Sequence, residues 1–496
     1  MHTEFSGDRN VSNKKPRTAI TPTREDDFPE WYQQVIKAAD MAENSPVRGC
    51  MIIKPYGYAV WENIQKNFDA MIKDLDVENA YFPLLIPMEF MSREAEHVDG
   101  FAKECAVVTH HRLEADEDGK LGPAPSAKLE DPYIIRPTSE TIIGDTMARW
   151  VQSYRDLPLK LNQWCNVMRW ELRTRIFLRT SEFLWQEGHN AFEDEKGGVE
   201  DHEKMLEAYA DLVENYMAVP VIRGKKTPEE TFPGAVSTLT IEAMMQDGKA
   251  LQSATSHYMG QNFAKSIGIK YQNRDGDESY AHTTSWGLST RTIGAMIMVH
   301  GDDDGMVMPP RVAPYPVGII PILRDDQDKD KILAYCADIV AQLRAIGIRA
   351  KINNSDSRTP DKMWGMIKKG VPVRVEIGAR EMQEGTLTHV RRDLGRDSKA
   401  SCKASEFMQQ IQGILDDIHI TLYQRAKDFM EQNITEAKTL ADMEDLYKSG
   451  HKGFVKTPIA VLDDADLARV KKENAITARC MPFSDNGQSV IFGKAY

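Results

Sequence analysis

Charged and aromatic side chains alternate in one segment of the sequence, NQWCNVMRWELRTRIFLRTSEFLWQEGHNAF. We interpret it as a hairpin: a strand ending in Arg169 and Glu171, an arginine-rich loop, and a returning strand that carries Trp185, Glu187 and His189. An arginine fork can hold a phosphate bidentately, and a carboxylate two residues later can accept a hydrogen bond from an adenine amino group. A surface hairpin with cross-strand ion pairs would explain the Arg-x-Glu pattern equally well.

A second segment, TTSWGLSTRTIGAMIMV, is typical of a strand that leads into a helix. The predicted helix begins at Ser289, Thr290 and Arg291. A helix N-terminus with hydroxyl groups and an arginine can bind an anion, although an ordinary capped helix can begin in the same way. The sequence has no G-x-G spacing and no Gly-Lys followed by Ser or Thr. A bound nucleotide would therefore need a device other than a Rossmann fingerprint or a P-loop.

The elements that would position these residues are mainly strands between residues 133 and 287, with helices at about 139–152, 198–217 and 290–300. Long strands in succession, with helices between blocks of strands, predict a mainly antiparallel sheet flanked by helices. The fold class is therefore α+β. Apolar residues recur at helical spacing in two earlier segments, 27–43 and 57–75.

Prolines between residues 309 and 316 mark the clearest change of pattern along the chain. An α/β unit of alternating strands and helices follows. We predict a flexible N-terminal arm (1–26), a large first domain (27–308), an α/β domain (309–410) and a small α+β C-terminal domain (411–496).

Composition narrows the class of protein. The chain carries a formal charge of −13, with 41% apolar and 28% charged residues, as in globular proteins. No apolar run approaches the ~18 residues of a membrane-spanning helix. The acidic balance argues against a protein that coats nucleic acid nonspecifically. Six scattered cysteines without a C-x-x-C pair predict reduced thiols and a cytoplasmic location.

Taken together, the two segments resemble motifs 2 and 3 of class II aminoacyl-tRNA synthetases, and in detail those of the prolyl-tRNA synthetase family. The helix at 57–75 and the following strand resemble motif 1, the element of the dimer interface. RPTSE, from Arg136 to Glu140, resembles the family's proline-recognition loop, and QSATSH, from Gln252 to His257, its Gln-x-x-Thr-Ser-His strand. The similarity runs from about residue 20 to Tyr496, a residue that the family folds back towards the catalytic domain.

The resemblance implies a homodimeric ligase that uses L-proline, ATP with Mg²⁺ and tRNA(Pro). It implies charge stabilisation by Arg169 and Arg291 at an in-line displacement on the α-phosphate. The implied proline site consists of Thr138, Glu140, Arg169, Trp185, Glu187, His189 and His257. The implied ATP site consists of Arg169, Glu171, Arg179, Thr180, Gln252, Thr255, Ser289 and Arg291.

Residues 314–420 resemble the anticodon-binding domain of the same group of enzymes, and GVPVRVEIG is the most similar stretch. An arginine and a glutamate on one strand suit the edges of guanine, so we expect Arg374 and Glu376 to read anticodon guanines.

The sequence departs from the family pattern at two places. The stretch between His189 and Ser285 is too short for the large editing domain of bacterial-type enzymes, which predicts an enzyme without cis-editing. The region matching the family's C-terminal zinc site, Thr457–Ala465, offers aspartates and no thiols, so we expect no structural zinc and no other resident metal.

Other functions remain to be weighed against this one. A paralogue that makes an aminoacyl-adenylate for another acceptor should lack the anticodon domain. A non-catalytic tRNA-binding subunit should have lost a motif arginine or the Thr-x-Glu loop, and none is missing. Threonyl and glycyl enzymes are the nearest relatives in motif pattern, but the loop with Thr138 and Glu140 favours proline.

Overall fold

The computed structural model describes residues 18–93, 104–323 and 328–496. In these ranges, no helix combines the length and apolar character that crossing a bilayer requires. The fold is the expected α+β arrangement, built around one large sheet and one smaller sheet.

The large sheet has eleven strands, and all neighbours in it are antiparallel except the outermost pair at each end. In spatial order its strands are Ile434–Glu436, Phe454–Pro458, Ser489–Gly493, Thr477–Pro482, Ile222–Lys225, Ser237–Met244, Ala250–Gly260, His282–Ser289, Glu182–Phe192, Leu159–Met168 and Glu78–Asn79. The predicted hairpin forms its last long pair, with Trp185 opposite Cys165.

Helices cover this sheet with apolar stripes. Helix Pro55–Lys73 begins with a proline, which suits the first helical turn, and buries Trp61, Ile64 and Phe68 at helical spacing. The Phe68 ring stacks on Tyr209 with centroids 4.9 Å apart. The other α-helices of this part are Phe28–Ala38, Met88–Arg93, Glu140–Trp150, Glu195–Asp211, Asn262–Ile267 and Arg291–His300.

Short strands complete the first part of the chain. They form a three-stranded sheet (Leu85–Pro87, Lys128–Ile135, Val107–His110) and three two-stranded ribbons (Ala42–Asn44 with Met51–Ile53, Leu113–Ala115 with Leu121–Pro123, Lys270–Gln272 with Glu278–Tyr280).

The smaller sheet follows the proline cluster. Its strands are Ala350–Ile352, Val317–Pro321, Val373–Ile377, Thr386–Arg391 and Ala400–Lys403 in spatial order. The first two pairings are parallel and the others antiparallel. Its α-helices are Lys329–Ala345, Thr359–Lys368 and Ala379–Glu384.

Helix Ala404–Gln432 runs through the proposed boundary at 410/411, so the division between the last two domains falls inside a helix. The remaining α-helices are Leu440–Lys448 and Leu467–Asn474. The four C-terminal strands extend the large sheet instead of forming a sheet of their own, because Thr477–Pro482 pairs with Ile222–Lys225. They enclose an apolar cluster that includes Met443, Val455 and Phe492.

The ends of the chain are partly fixed. Residues 1–17 of the predicted flexible arm lie outside the described residues, but the expectation of a loose arm is wrong for residues 18–26. Ile20 is buried and its N–H donates to the carbonyl of Asp303 (2.9 Å), while Arg24 pairs with the Asp303 carboxylate. At the other end, the Tyr496 hydroxyl donates to Asp247 (2.6 Å), as the predicted fold-back requires.

Candidate active site

A cleft opens on one face of the large sheet. Its deeper lobe is a cavity of about 230 Å³ between the strands that carry Trp185, Thr255 and Ser289 and the start of helix Glu140–Trp150. The sequence-predicted residues that line it are Thr138, Glu140, Arg169, Trp185, Glu187, His189, Gln252, Thr255, His257, Ser289 and Arg291.

A second lobe of about 280 Å³ lies beside the first and is lined by Glu171, Arg179 and Thr180. Four residues, Arg169, Phe183, Ser289 and Arg291, border both lobes. The two lobes are therefore parts of one cleft, with two arginines at their junction. All the residues predicted to bind proline or ATP line this cleft.

Glu187 is the centre of a buried hydrogen-bond network in the deeper lobe. Its carboxylate accepts from the Ser139 N–H (3.0 Å) and the Gln163 amide (3.3 Å), and lies 3.2 Å from His189 Nε2. Burial alone would raise the pKa of Glu187, but the bonds from His189 and Ser139 lower it to about 2. Glu187 is thus a permanent carboxylate that fixes the loop carrying Thr138.

Glu140 differs from Glu187 in its environment. It opens helix Glu140–Trp150 and lines the cavity, and burial raises its pKa above the usual value. The charges of His189 and Arg169 act in the opposite direction. A cationic ligand in the cavity would stabilise the ionised form of this partly desolvated carboxylate, because the ligand's charge compensates for the lost hydration.

Arg169 lies at the junction of the lobes. Its Nε donates to the Pro137 carbonyl (3.0 Å), and its guanidinium lies over the rings of Phe183 and Trp185, at 5.5 and 5.1 Å from their centroids. Burial lowers the pKa of Arg169 to about 10, so the group is still cationic at neutral pH. A cation stacked on two rings at the junction of the lobes attracts an anion that enters the cleft.

The opposite wall of the deeper lobe is a neutral polar surface. His257 contacts two hydroxyl groups, Thr238 at Nδ1 (3.0 Å) and Thr255 at Nε2 (3.1 Å). Burial lowers the pKa of His257 to about 3, so the ring is uncharged. This wall therefore shapes the lobe without adding charge.

The structure differs from the expected strand through Arg169 and Glu171, because the strand ends at Met168. The Arg169 N–H still donates to the carbonyl of Ser181 beside the partner strand, whereas the Trp170 N–H donates to the carbonyl of Glu104. Arg169 and Glu171 nevertheless both line the second lobe. Glu171 lines only the second lobe, where it pairs with Arg179 (2.7 Å).

Arg291 opens helix Arg291–His300 as predicted. Its Nε donates to the Leu178 carbonyl (3.2 Å), and its N–H donates to the Ser289 hydroxyl (3.3 Å). Burial lowers the pKa of its guanidinium, and the nearby charges of Arg179 and Arg479 lower it further. Positive charge is thus concentrated on the Arg291 side of the cleft.

Several lining residues were not singled out from the sequence. Phe183, Ser285 and Gly287 belong to the segments that carry the motifs, so their positions were available. Phe232 lies in a connecting segment, and its ring packs 4.6 Å from that of His257. Nothing in the local sequence around Phe232 indicated that role.

The residues expected to read the anticodon lie apart from the cleft, on strand Val373–Ile377. Arg374 and Glu376 are both buried and pair with each other (3.1 Å), and Lys399 pairs with the second carboxylate oxygen of Glu376 (3.1 Å). Glu376 therefore has two cationic partners on one face of the smaller sheet.

Within the described ranges, no group of three or more His, Cys, Asp or Glu side chains could hold a metal ion. Two acidic residues of the hairpin, Glu171 and Glu182, are engaged by Arg179 (2.7 Å) and by the Asn166 amide (2.8 Å), respectively.

Comparisons with known proteins agree with this arrangement. The class II core domain of the G, H, P, S and T tRNA synthetases matches residues 125–300, and an anticodon-binding domain matches residues 316–414. The chain is 54% identical over 490 residues to a proline–tRNA ligase of Bdellovibrio bacteriovorus, with 96% of this chain and 97% of the relative covered. It is 51% identical over 511 residues to that of Rhodopirellula baltica, with 99% and 100% covered.

A solved structure is similar over nearly the whole chain. It is the prolyl-tRNA synthetase of Cryptosporidium parvum complexed with halofuginone and AMPPNP, with a TM-score of 0.87 and 36% identity, covering 96% of this chain and 99% of that one. Fold and motifs define a class II aminoacyl-tRNA synthetase core joined to an anticodon-binding domain. Within that class, the chain belongs to the prolyl-tRNA synthetase family, and its enzyme type is a proline–tRNA ligase.

Proposed function

We propose that the enzyme activates L-proline with ATP and transfers it to the terminal adenosine of tRNA(Pro). In the first step a proline carboxylate oxygen attacks the α-phosphorus, the bond to the β-phosphate oxygen breaks, and prolyl-adenylate and pyrophosphate form. In the second step the ribose hydroxyl of the terminal adenosine attacks the prolyl carbonyl, and AMP leaves. The observation that carries the proposal is the single two-lobed cleft with Arg169 and Arg291 at its junction.

The deeper lobe suits proline. The ring nitrogen of proline is cationic at neutral pH and would bind Glu140, whose carboxylate lines the cavity, together with the Thr138 hydroxyl. Trp185, His189 and His257 would enclose the apolar ring. Arg169 would then meet the proline carboxylate and the α-phosphate at the junction, where it neutralises charge that accumulates during the displacement.

The second lobe suits the adenine, with Glu171 accepting from the amino group and Arg179 and Thr180 beside it. Gln252, Thr255 and Ser289 would complete the ATP site, and Arg291 would bind the γ-phosphate. Mg²⁺ would accompany ATP as part of the substrate and would neutralise negative charge on the polyphosphate, since Mg²⁺ in such sites keeps several waters and substrate ligands. We assign no protein ligand to it and expect no structural zinc.

We further propose that no editing domain is present in cis. The chain between His189 and Ser285 is occupied by helix Glu195–Asp211 and by strands that belong to the large sheet, such as Ser237–Met244. A proline-sized lobe separates amino acids that differ by small apolar groups by only about 1–3 kcal/mol. We therefore expect detectable activation of alanine or cysteine, and absence of both would contradict this part of the proposal.

The proposed enzyme is a cytoplasmic homodimer, as expected of a translation enzyme with six free cysteines. Support for an interface comes from the three-stranded sheet, where Leu85 and Tyr133 share a face and are both more than a third exposed. Light scattering should give twice the monomer mass. A Tyr133→Glu, Leu85→Glu variant should move the mass towards that of the monomer.

Amino-acid-dependent ATP–pyrophosphate exchange without tRNA tests the main proposal. Proline should give the strongest exchange of the twenty amino acids, and Arg169→Ala should abolish it. Arg155→Ala is a matched control, because Arg155 stacks on Tyr154 outside the cleft. Exchange with another amino acid instead, or none, would favour the paralogue or the non-catalytic tRNA-binding protein.

A further inference from the structure

The C-terminal part of the chain joins the large sheet close to the cleft. Strand Thr477–Pro482 joins the large sheet beside Ile222–Lys225, with Pro482 opposite Gly224. A Cβ on Gly224 would lie 2.6 Å from the Met481 carbonyl and 2.8 Å from Cys480, so the two strands pack as closely as a glycine allows. This contact carries Arg479 into the interior of the first part of the chain.

Arg479 binds a carboxylate there. Its Nε and Nη2 donate to one oxygen of Glu242 (3.1 and 2.7 Å), while Lys226 donates to the other (2.8 Å). The Thr240 hydroxyl donates to Glu242 as well (2.9 Å). Glu242, Lys226 and Arg479 are all buried, Glu242 completely.

Glu242 belongs to a row of residues directly beside the lining of the cleft. Strand Ser237–Met244 places Thr238, Thr240 and Glu242 opposite His257, Thr255 and Gln252 of the next strand. Cross-strand partners share a face of the sheet, so each lining residue has a supporting residue beside it. Arg479 fixes the end of the supporting row that lies next to Gln252.

The cluster has more positive than negative charge. One carboxylate, Glu242, faces two cations, Lys226 and Arg479. Arg291 lies close enough to interact electrostatically with this cluster, because the charge of Arg479 lowers the pKa of Arg291 and the charge of Glu242 raises the same pKa. Buried charges are poorly screened, so an excess of positive charge next to Arg291 favours an anion in the cleft.

We propose that Arg479 is a positioning residue for the polyphosphate of ATP: through Glu242 it fixes the Gln252 end of the cleft, and its charge adds to that of Arg291. The proposal rests on the proposed function, since it assumes that ATP binds in this cleft. It gives the C-terminal region a role in amino-acid activation.

The test is ATP–pyrophosphate exchange by the full-length enzyme with Arg479→Met and Arg479→Lys. Arg479→Met leaves the Lys226–Glu242 pair intact and should raise the KM for ATP about five- to tenfold, with the KM for proline within about twofold of wild type. Arg479→Lys keeps the charge and should bring the KM for ATP back to within about threefold.

Arg469→Met is the matched control. Arg469 also pairs with a glutamate of the C-terminal region, Glu444 (2.9 Å), but it does not approach the cleft. An unchanged KM for ATP in Arg479→Met, or the same rise in Arg469→Met, would overturn the proposal. If Arg479→Met does not fold, Arg479→Gln replaces it with the same expected rise, and an unchanged KM for ATP in Arg479→Gln would overturn the proposal. Lack of proline-dependent exchange in the wild-type enzyme would instead refute the proposed function.

Discussion

Arg392 binds the carboxylate of Asp302 with both terminal nitrogens, at 2.7 and 2.5 Å. Arg392 follows strand Thr386–Arg391 of the smaller sheet, and Asp302 lies two residues beyond helix Arg291–His300. The Arg392 Nε also donates to the Ile367 carbonyl (3.0 Å). The anticodon-binding domain is thus attached to the far end of the helix whose first residue, Arg291, borders the cleft.

Arg392→Ala should loosen this attachment. A bidentate, largely buried charge pair contributes more than a surface pair, so we expect a loss of about 2 kcal/mol in the free energy of unfolding. Charging of tRNA should fall more than ATP–pyrophosphate exchange, because only charging needs the anticodon domain to be held in place. Arg380→Ala removes an exposed pair with Glu384 and should change neither quantity. Equal losses of charging and exchange would contradict this reading.

Gly188 is required by packing. A Cβ at this position would lie 2.0 Å from the indole of Trp286, which is buried beneath the cleft. Gly188→Ala should therefore cost about 2 kcal/mol or more in stability and reduce proline-dependent exchange. Gly413→Ala is the control: nothing lies within 4 Å of its added Cβ, in the middle of helix Ala404–Gln432, so stability should rise by about 0.5–1 kcal/mol. Chemical denaturation measures both.

Buried histidines should make the fold sensitive to acid. Burial lowers the pKa of His202 to about 3, below the usual value of 6.5. The unfolded chain then binds a proton below about pH 6.5 that the folded chain does not bind until about pH 3, so stability is lost as pH falls through this window. His202→Gln should flatten the dependence of the unfolding free energy on pH between 7.5 and 5.5. His111→Gln, at an exposed position, should leave it unchanged, and an unaltered slope in His202→Gln would refute the prediction.

If Arg374 and Glu376 read the anticodon, substituting them should impair tRNA charging without impairing amino-acid activation. Glu376→Ala and Arg374→Ala should lower tRNA charging about tenfold or more while leaving ATP–pyrophosphate exchange within about twofold of wild type. To accept from a guanine, Glu376 must give up part of its pairing with Arg374 and Lys399. Glu384→Ala removes an exposed carboxylate of the same domain and serves as the control. Unchanged charging by Glu376→Ala would contradict the assignment.

The side chains that line the cleft could be predicted from the sequence, because they belong to short motifs in which residue type and spacing are local properties. Period-two alternation put Trp185, Glu187 and His189 on one face, and the structure confirms this, since all three line the deeper lobe. The hydroxyl-rich start of the helix at Arg291 was also visible locally. The family, the α+β fold and the lining of the cleft were therefore accessible from residue types, spacing and order.

Only the tertiary structure decided what surrounds these residues. The strand ended at Met168, before Glu171, and the Trp170 N–H donates to the carbonyl of Glu104, far earlier in the chain. Arg479 met Glu242 because the C-terminal strands joined a sheet begun more than 200 residues earlier. Such pairings bring together residues far apart in the chain, and no periodicity or local propensity encodes them. They are set by which apolar faces and strand edges remain to be covered once the local elements have formed.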